Sequence, residues 1–342
     1  MDYLGEEGYR SHMQCTVEPY IKKYRRKGYF ESYDGTSIFY YTYRKPEAKK
    51  CVVISHGFCE FAEKYNEMIY YFLLAGYSVY LPEHRGHGYS ERDTEDTEKV
   101  HIEDFEDYVR DFHCFMKKIV REQEKDRILF GHSMGGAVAV RYLEQYPDIF
   151  QGAVLSSPML RMQTGKYPEW LAKLVADYFT MTGRGMEYAA GQKGFDAKPD
   201  FSGSSCVSEE RYRYVFEKRM KDLQYRTYGA SYAWLRAAIK ATAVLRKKEN
   251  LEKITIPVLL FVAGRDHMVD NRAAAEFVNG VRKVSLKYME NSKHEIFNAD
   301  YETRAAYYEQ IFDFLLNVTA SERNERNDEE EITETGKILG TV

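Results

Sequence analysis

The stretch 131–136, Gly-His-Ser-Met-Gly-Gly, places a serine between two short apolar runs. The run before it, 128–130, reads Ile-Leu-Phe, and the run after it, 137–140, reads Ala-Val-Ala-Val. This order predicts a strand, a tight turn with Ser133 at its apex, and a helix. A side chain at either flanking glycine would collide with the adjoining strand or helix. Because the turn exposes the serine hydroxyl above a helix N-terminus, we predict a catalytic nucleophile; the alternative is a structural turn that happens to carry serine.

Composition excludes several classes of protein. A net charge of −4 over 342 residues argues against a chain that binds nucleic acid. Residues 1–10 lack the apolar core of a signal peptide, and no run approaches the roughly 18 apolar residues of a membrane span. The five cysteines are scattered and never form a CxxC pair, which indicates a reducing compartment and no structural zinc. We therefore predict a cytoplasmic protein.

Strand-like and helix-like segments alternate through the first half of the chain, after two strands joined by the turn Asp34-Gly35. Alternation of this kind predicts an α/β fold, with a mostly parallel sheet covered by helices on both faces. The predicted strands are Gly28–Tyr33, Ser37–Tyr43, Cys51–Ser55, Ser78–Leu81, Arg127–Phe130 and Gly152–Ser156, and the predicted helices lie near Ala62–Leu74, Ile102–Arg121 and Met134–Tyr146.

The alternation breaks at residue 161. Residues 161–255 show no convincing strand but three amphipathic helical stretches, near Glu169–Thr180, Ser208–Leu223 and Ser231–Leu245. Strands resume with Val258–Val262 and Val284–Tyr288, and a last helix ends near Leu316. We therefore predict an N-terminal arm at 1–25, an α/β core at 26–160 and 256–319, an inserted helical cap at 161–255, and a disordered acidic tail at 320–342.

A serine hydroxyl needs a base to remove its proton and an acid to orient that base. In folds with this turn the acid and then the base follow the serine along the chain. Two histidines follow Ser133. His294 lies in a loop that leaves a strand and is predicted to be the base, whereas His267 is adjacent to the predicted acid, Asp266, and cannot also face the serine. Asp266 is the first carboxylate after the strand Val258–Val262 and is our predicted acid. Its competitor, Asp270, is interpreted as the N-cap of a helix starting at Asn271.

The tetrahedral intermediate of acyl transfer needs backbone donors for its oxyanion. One predicted donor is the N–H of Met134, directly after the nucleophile. The other is the N–H of Phe58, in the loop where Gly57 permits the turn. Nearby, His56, His84 and His87 superficially suggest a metal site, but glycines dominate their surroundings, and a structural turn is the favoured interpretation. Cys59 is interpreted as a small packed residue rather than as a reactive thiol.

At these segments the chain resembles the monoglyceride lipase and bacterial lysophospholipase branch of the α/β-hydrolases, the serine aminopeptidase S33 type. The resemblance runs from about Tyr29 to Leu316. It implies triad roles for Ser133, Asp266 and His294, and no cofactor or metal. The motifs that carry it are His56-Gly57-Phe58-x-Glu60, 84–90 (His-Arg-Gly-His-Gly-Tyr-Ser), the 131–136 stretch, and the surroundings of Asp266 and His294.

Details of the resemblance favour the bacterial lysophospholipases over the animal monoglyceride lipases, namely 232–235 (Tyr-Ala-Trp-Leu) and 269–272 (Val-Asp-Asn-Arg). Two positions depart from the pattern. Glu83 stands where the family has Asp before the His-Arg-Gly turn. Phe58 stands where monoglyceride lipases have a small residue, which changes the expected shape of the acyl pocket but leaves the backbone donor in place.

The apolar face and the charge of the predicted cap indicate the class of substrate. Its apolar residues Trp170, Leu171, Leu174, Val175, Tyr178 and Phe179 share one helical face, and we predict substrate binding by Trp170, Leu174 and Tyr178. The face is interpreted as the wall of an acyl tunnel or as a surface that docks on a bilayer; the alternative is packing on the core. Residues 161–255 contain 18 Lys and Arg against 11 Asp and Glu, a net charge of +7 that favours anionic lipid surfaces.

We therefore predict a serine esterase that hydrolyses single-chain lipid esters, with lysophospholipids ahead of monoacylglycerols. The expected partners are a lipid ester and, peripherally, the inner face of the membrane. A general short-chain carboxylesterase is the main alternative. A proline-type aminopeptidase would need cap carboxylates for a free amine, and a non-catalytic binding protein would usually lack a triad member. An epoxide hydrolase would carry Asp in place of Ser133.

Overall fold

The apolar runs of the sequence form one eight-stranded sheet in the computed structural model, which describes residues 1–318. The strand order is β1-β2-β4-β3-β6-β7-β9-β10, antiparallel across β1, β2 and β4 and parallel from there on. The predicted α/β class is confirmed. The strands are β1 Arg25–Glu31, β2 Ser37–Tyr43, β3 Lys50–Ser55, β4 Ser78–Pro82, β5 Lys99–Val100, β6 Asp126–His132, β7 Gly152–Ser156, β8 Gly229–Ala230, β9 Val258–Ala263 and β10 Val284–Met289.

Helices cover both faces of this sheet. A 3-10 turn at Ala62–Tyr65 leads into α3, a π-helical turn at Met13–Val17 joins α1 to α2, and residues 301–318 are helical. The helices are α1 Tyr9–His12, α2 Glu18–Lys22, α3 Asn66–Leu74, α4 Glu106–Lys118, α5 Met134–Gln145, α6 Glu169–Met181, α7 Glu209–Lys221, α8 Tyr232–Leu245, α9 Lys248–Leu251 and α10 Ala273–Gly280.

The side chains of the central strands divide between two hydrophobic cores. In β6, Leu129 points into a core shared with α4, α5 and α8, whereas Ile128 and Phe130 point into a core shared with α3 and residues 301–318. Successive side chains of a strand face opposite sides of the sheet, so a strand that is buried on both faces must be apolar throughout. This is why the central strands appear as continuous apolar runs in the sequence.

The strand order reverses at β3, which has β4 on one side and β6 on the other. The connections that follow β3 and β6 therefore diverge and leave a crevice at the carboxyl edge of the sheet, where ligands bind in open α/β folds. The loop after β3 carries Gly57 and Phe58, and the turn after β6 carries Ser133. The topology thus brings two predicted site segments to one edge.

Some predicted elements need correction. The strand predicted at Gly28–Tyr33 runs from Arg25 to Glu31, because an edge strand tolerates charged residues such as Arg25, Arg26 and Lys27. The region 161–255 contains a short strand, β8, which pairs with β5 in a second sheet. Two residues are too few to show a strand periodicity. Ser37–Tyr43 and Gly152–Ser156 agree with the predicted strands.

The N-terminal segment is more than a polar arm. Tyr9, Met13, Val17 and Ile21 recur every four residues and are all buried in the core beside α3. This spacing places them on one helical face, and polar residues between them, such as Arg10 and Gln14, are exposed on the other. The predicted acidic tail, 320–342, lies outside the described residues. Among residues 1–318, no helix combines the length and apolar character that crossing a bilayer requires.

Candidate active site

Ser133 lies at a sharp turn between β6 and α5. Its φ of 52° and ψ of −121° are in a region that residues other than glycine rarely occupy. The neighbouring glycines leave no room for a side chain: a Cβ on Gly135 would lie 2.1 Å from the Ser55 carbonyl oxygen, and one on Gly131 would lie 2.9 Å from the Cα of Gly136. The strand and helix thus pack through the glycines and leave the serine half-buried at the apex.

His294 and Asp266 form a hydrogen-bonded pair. The loop after β9 carries Asp266 and the loop after β10 carries His294, and 2.7 Å separates the Asp266 Oδ2 from the His294 Nδ1. The other oxygen of Asp266 accepts the N–H groups of Met268, at 2.8 Å, and Val269, at 3.1 Å. The side chain of Asp266 is fully buried.

This arrangement keeps Asp266 ionised. Burial by itself would raise the pKa of Asp266, but the hydrogen bond and charge of His294 and the two backbone donors outweigh it and hold that pKa below its ordinary value. An ionised carboxylate accepts only, so His294 donates from Nδ1 and its Nε2 is left as the basic nitrogen. The His294 ring lies 4.9 Å from the ring of His132, which directly precedes Ser133.

Asp270 has different partners. Its carboxylate binds the guanidinium of Arg272, at 2.8 Å, and that of Arg161, at 3.6 Å, and it also accepts the backbone N–H of Arg272. The helix that follows begins at Ala273, so the predicted start at Asn271 is two residues early. His267 is exposed. Of the two candidate acids, the structure brings Asp266 to His294.

Both predicted oxyanion donors flank the turn. Among the hydrogen bonds of residues 1–318, the backbone N–H groups of Phe58 and Met134 have no acceptor. Met134 opens α5, and the first N–H groups of a helix have no partner within it. The Phe58 ring packs 4.3 Å from the ring of Trp234 in α8. The bulky residue at position 58 therefore fills space under α8 and leaves the backbone donor free.

The three histidines near the site form a packed turn. The His56 ring lies 4.5 Å from that of His84 and 5.3 Å from that of His87. The His84 N–H donates to His56 Nε2 at 2.9 Å, and the His56 Nδ1 donates to the Gly57 carbonyl oxygen at 2.8 Å. Burial lowers the pKa of His56 to about 4 and that of His87 to about 3, so these rings are neutral. Within residues 1–318, no group of His, Cys, Asp and Glu is arranged to hold a metal ion.

Glu83 and Cys59 lie close to these histidines in the sequence, and neither is arranged as a reactive group. The Glu83 carboxylate accepts the N–H groups of Ala62, at 2.9 Å, and Tyr89, at 2.7 Å, and so ties two loops together. Burial raises the pKa of Glu83 to about 7. Cys59 is buried at a positive φ of 57°, and burial raises the pKa of its thiol well above the usual range. A thiol in that state is a poor nucleophile.

Sequence reasoning missed a buried charged cluster beside the site. Lys64 contacts the carboxylates of Glu60 and Glu295. The motif His56-Gly57-Phe58-x-Glu60 includes Glu60 but predicts no role for its carboxylate. The available signal was the pair of opposite charges four residues apart, with Glu60 just before the helical turn at Ala62–Tyr65 and Lys64 within it.

The apolar residues of α6 divide into two sets. Leu171, Val175 and Phe179 are half-buried. Of these, Val175 and Phe179 pack against the cluster that contains Tyr232 of α8, and the Phe179 ring stacks 4.0 Å from that of Tyr232. The predicted substrate-binding residues lie on the adjacent, solvent-exposed side of the helix. Their exposed fractions are 66% for Trp170, 58% for Leu174 and 59% for Tyr178, and Met181 extends the row at 83%.

Comparison with known proteins places these features in one family. A family model described as serine aminopeptidase, S33, matches residues 46–300, which is 255 of the 342 residues. Lysophospholipase L2 of Escherichia coli strain K12 is 27% identical over 303 residues, covering 85% of this chain and 87% of that protein. Monoglyceride lipase of Mus musculus is 26% identical over 273 residues, covering 76% and 80%.

A solved structure supports the fold. The crystal structure of the monoacylglycerol lipase from Paleococcus ferrophilus superposes with a TM-score of 0.65 at 20% identity, covering 82% of this chain and 99% of that one. The sheet described above is thus shared with proteins of the α/β-hydrolase fold.

Proposed function

Because this chain belongs to the serine aminopeptidase S33 family of α/β-hydrolases, we propose that it hydrolyses carboxylic esters of single-chain lipids through an acyl-enzyme on Ser133. The observation that carries this proposal is the hydrogen-bonded pair of His294 and Asp266 beside the strained Ser133 turn. The names of the relatives, a lysophospholipase and a monoglyceride lipase, support esters of lipids as the substrate class.

The mechanism follows from what each group can do. His294 Nε2 accepts the proton of the Ser133 hydroxyl as its oxygen attacks the ester carbonyl, and Asp266 stabilises the imidazolium. The N–H groups of Phe58 and Met134 receive the oxyanion. His294 then protonates the departing alcohol. Water attacks the acyl-enzyme while His294 takes its proton, and the carboxylic acid leaves as His294 returns that proton to Ser133. The glycines of the turn and the Asp266 hydrogen bonds hold these groups in place.

The substrate class is tested by a panel of esters. We expect kcat/KM to rise with acyl length for p-nitrophenyl esters, and lysophosphatidylcholine to be cleaved faster than monoacylglycerol of the same chain. Each buried methylene adds about 0.8 kcal/mol of binding, or roughly fourfold, where the pocket accepts it. A preference for short esters would favour the general carboxylesterase. Turnover of aminoacyl p-nitroanilides alone would favour an aminopeptidase.

We further propose that the outer face of α6 docks on an anionic membrane surface. Trp170, Leu174, Tyr178 and Met181 form an exposed apolar row, and the surrounding residues 161–255 carry a net charge of +7. The exposed apolar row of α6 is suited to enter the bilayer interface. The attraction to anionic headgroups comes from basic residues elsewhere in 161–255, because α6 itself carries only Lys173 against Glu169 and Asp177.

Docking predicts a defect for a variant that changes only this row. The double variant Trp170→Gln/Leu174→Gln should bind anionic vesicles at least about tenfold more weakly, since each large apolar side chain contributes roughly 1.5–3 kcal/mol when buried. Vesicle sedimentation measures the effect. The matched control is Tyr288→Gln, which removes an equally exposed aromatic, 62% accessible, from β10. Equal losses for both variants would contradict docking through α6.

A further inference from the structure

A buried lysine joins two carboxylates beside the candidate active site. The Lys64 Nζ lies 2.6 Å from Glu60 Oε1 and 2.7 Å from Glu295 Oε1. The side chains of Lys64 and Glu60 are each 5% exposed and that of Glu295 is 12% exposed. Charged groups are buried in this way only when they pair with one another, so the three side chains act as one unit.

Glu60 holds the loop that carries an oxyanion donor. Its Oε2 accepts the backbone N–H of Gly57 at 2.6 Å and also accepts the hydroxyl of Tyr65. Gly57 directly precedes Phe58, so this bond fixes the peptide chain from which the Phe58 N–H projects. A Cβ on Gly57 would lie 2.9 Å from the Glu60 carboxyl carbon, which shows how closely the loop wraps around that carboxylate.

Glu295 holds the loop that carries the base, since it directly follows His294. Its backbone N–H donates to the Ser205 carbonyl oxygen at 3.1 Å. Its Oε2 accepts from the Asn298 side-chain amide at 2.7 Å and from the Cys206 thiol at 3.1 Å. The position of the base loop is thus linked to Lys64 and to the residues before α7.

The serine turn also contacts the unit. The His132 Nε2 lies 3.5 Å from Glu60 Oε1, and the other ring nitrogen, Nδ1, lies 3.0 Å from the Ser156 carbonyl oxygen. Burial and the charge of Lys64 act in opposite directions on the pKa of Glu60, and Lys64 and His132 prevail and lower it. One ammonium therefore keeps two buried carboxylates ionised, as acceptors for the loops on either side.

We propose that Lys64 is a positioning residue, which through Glu60 and Glu295 sets the distance between the oxyanion loop at Phe58 and the base loop at His294. This inference rests on the proposed function, because it concerns the same esterase site. Lys64 does not touch the reacting atoms. Its removal leaves substrate binding intact but displaces the Phe58 N–H from the developing oxyanion.

The test separates kcat from KM for a soluble p-nitrophenyl ester. We expect Lys64→Met to lower kcat by about 10²-fold, the usual loss for one misplaced oxyanion donor, with KM within about threefold. Glu60→Ala should show the same loss. Glu60→Gln keeps an oxygen that accepts the Gly57 N–H, so it should stay within about tenfold of the wild-type kcat. If Lys64→Met does not fold, the comparison of kcat between Glu60→Gln and Glu60→Ala tests the positioning role instead.

The matched control is Arg211→Met, which removes another fully buried cation that pairs with Glu67 and Glu6. We expect it to lower the Tm and leave kcat unchanged. A folded Lys64→Met with wild-type kcat, equal kcat for Glu60→Gln and Glu60→Ala, or equal loss in Arg211→Met would each overturn the positioning role. Wild-type protein without turnover of any ester would instead overturn the proposed function.

Discussion

Ser133→Ala should reduce kcat for a soluble ester by at least about 10⁴-fold. Without the hydroxyl no acyl-enzyme forms, and only the oxyanion donors and substrate binding remain; losses of about 10⁶-fold accompany removal of the nucleophile in a comparable site. Alanine fits the turn sterically as well as serine does, so the fold and the Tm should change little. The measurement is initial rates over a range of enzyme concentration, with labelling by a fluorophosphonate as a second readout that needs no substrate.

A second serine supplies the control for this variant. Ser157 also has a positive φ, 43°, is buried, and within the described residues its hydroxyl has no hydrogen-bond partner. Ser157→Ala should keep kcat within a few fold and should still be labelled by the fluorophosphonate. A Ser133→Ala protein that retains activity and labelling would contradict the assignment of Ser133 as nucleophile.

Asp266→Asn should lower kcat by about 10⁴-fold while its geometry is preserved. An amide at this position can donate to Nδ1, which favours the tautomer with the proton on Nε2 and leaves His294 unable to accept from Ser133. The measurement is kcat from pH 5 to 9. Because the pKa of Asp266 is held below its ordinary value, this carboxylate stays ionised over that range and contributes no limb to the wild-type profile.

Asp270→Asn is the matched control for Asp266→Asn. It makes the same chemical change four residues along the chain, on a carboxylate whose partners are Arg272 and Arg161. Loss of these pairs should cost about 1 kcal/mol of stability or less and leave kcat within a few fold, because Arg272 is largely exposed. A larger loss of kcat in Asp270→Asn than in Asp266→Asn would reverse the assignment of the acid.

The sheet was predictable from the sequence because its signal is local. Continuous apolar runs such as Gly152–Ser156 mark strands buried on both faces, and the turn at Ser133 can be recognised because glycine is required within two residues on either side. The edge strand β1 and the two-residue strand β8 were less visible. Their residues are charged or too few, and only pairing with a neighbouring strand makes them extended.

The chain by itself determined the α/β class, the serine turn, and the loops that carry the predicted acid and base, since each depends on residues close together in sequence. Tertiary structure alone decided which carboxylate meets His294, which face of α6 is exposed, and that Lys64 lies between Glu60 and Glu295. These contacts join residues up to 231 positions apart, from Lys64 to Glu295. Such pairs form because the parallel strands end at a common edge and because an unpaired charge is costly in the low dielectric of the interior. Both conditions depend on the assembled fold, so no single segment of the sequence reveals them.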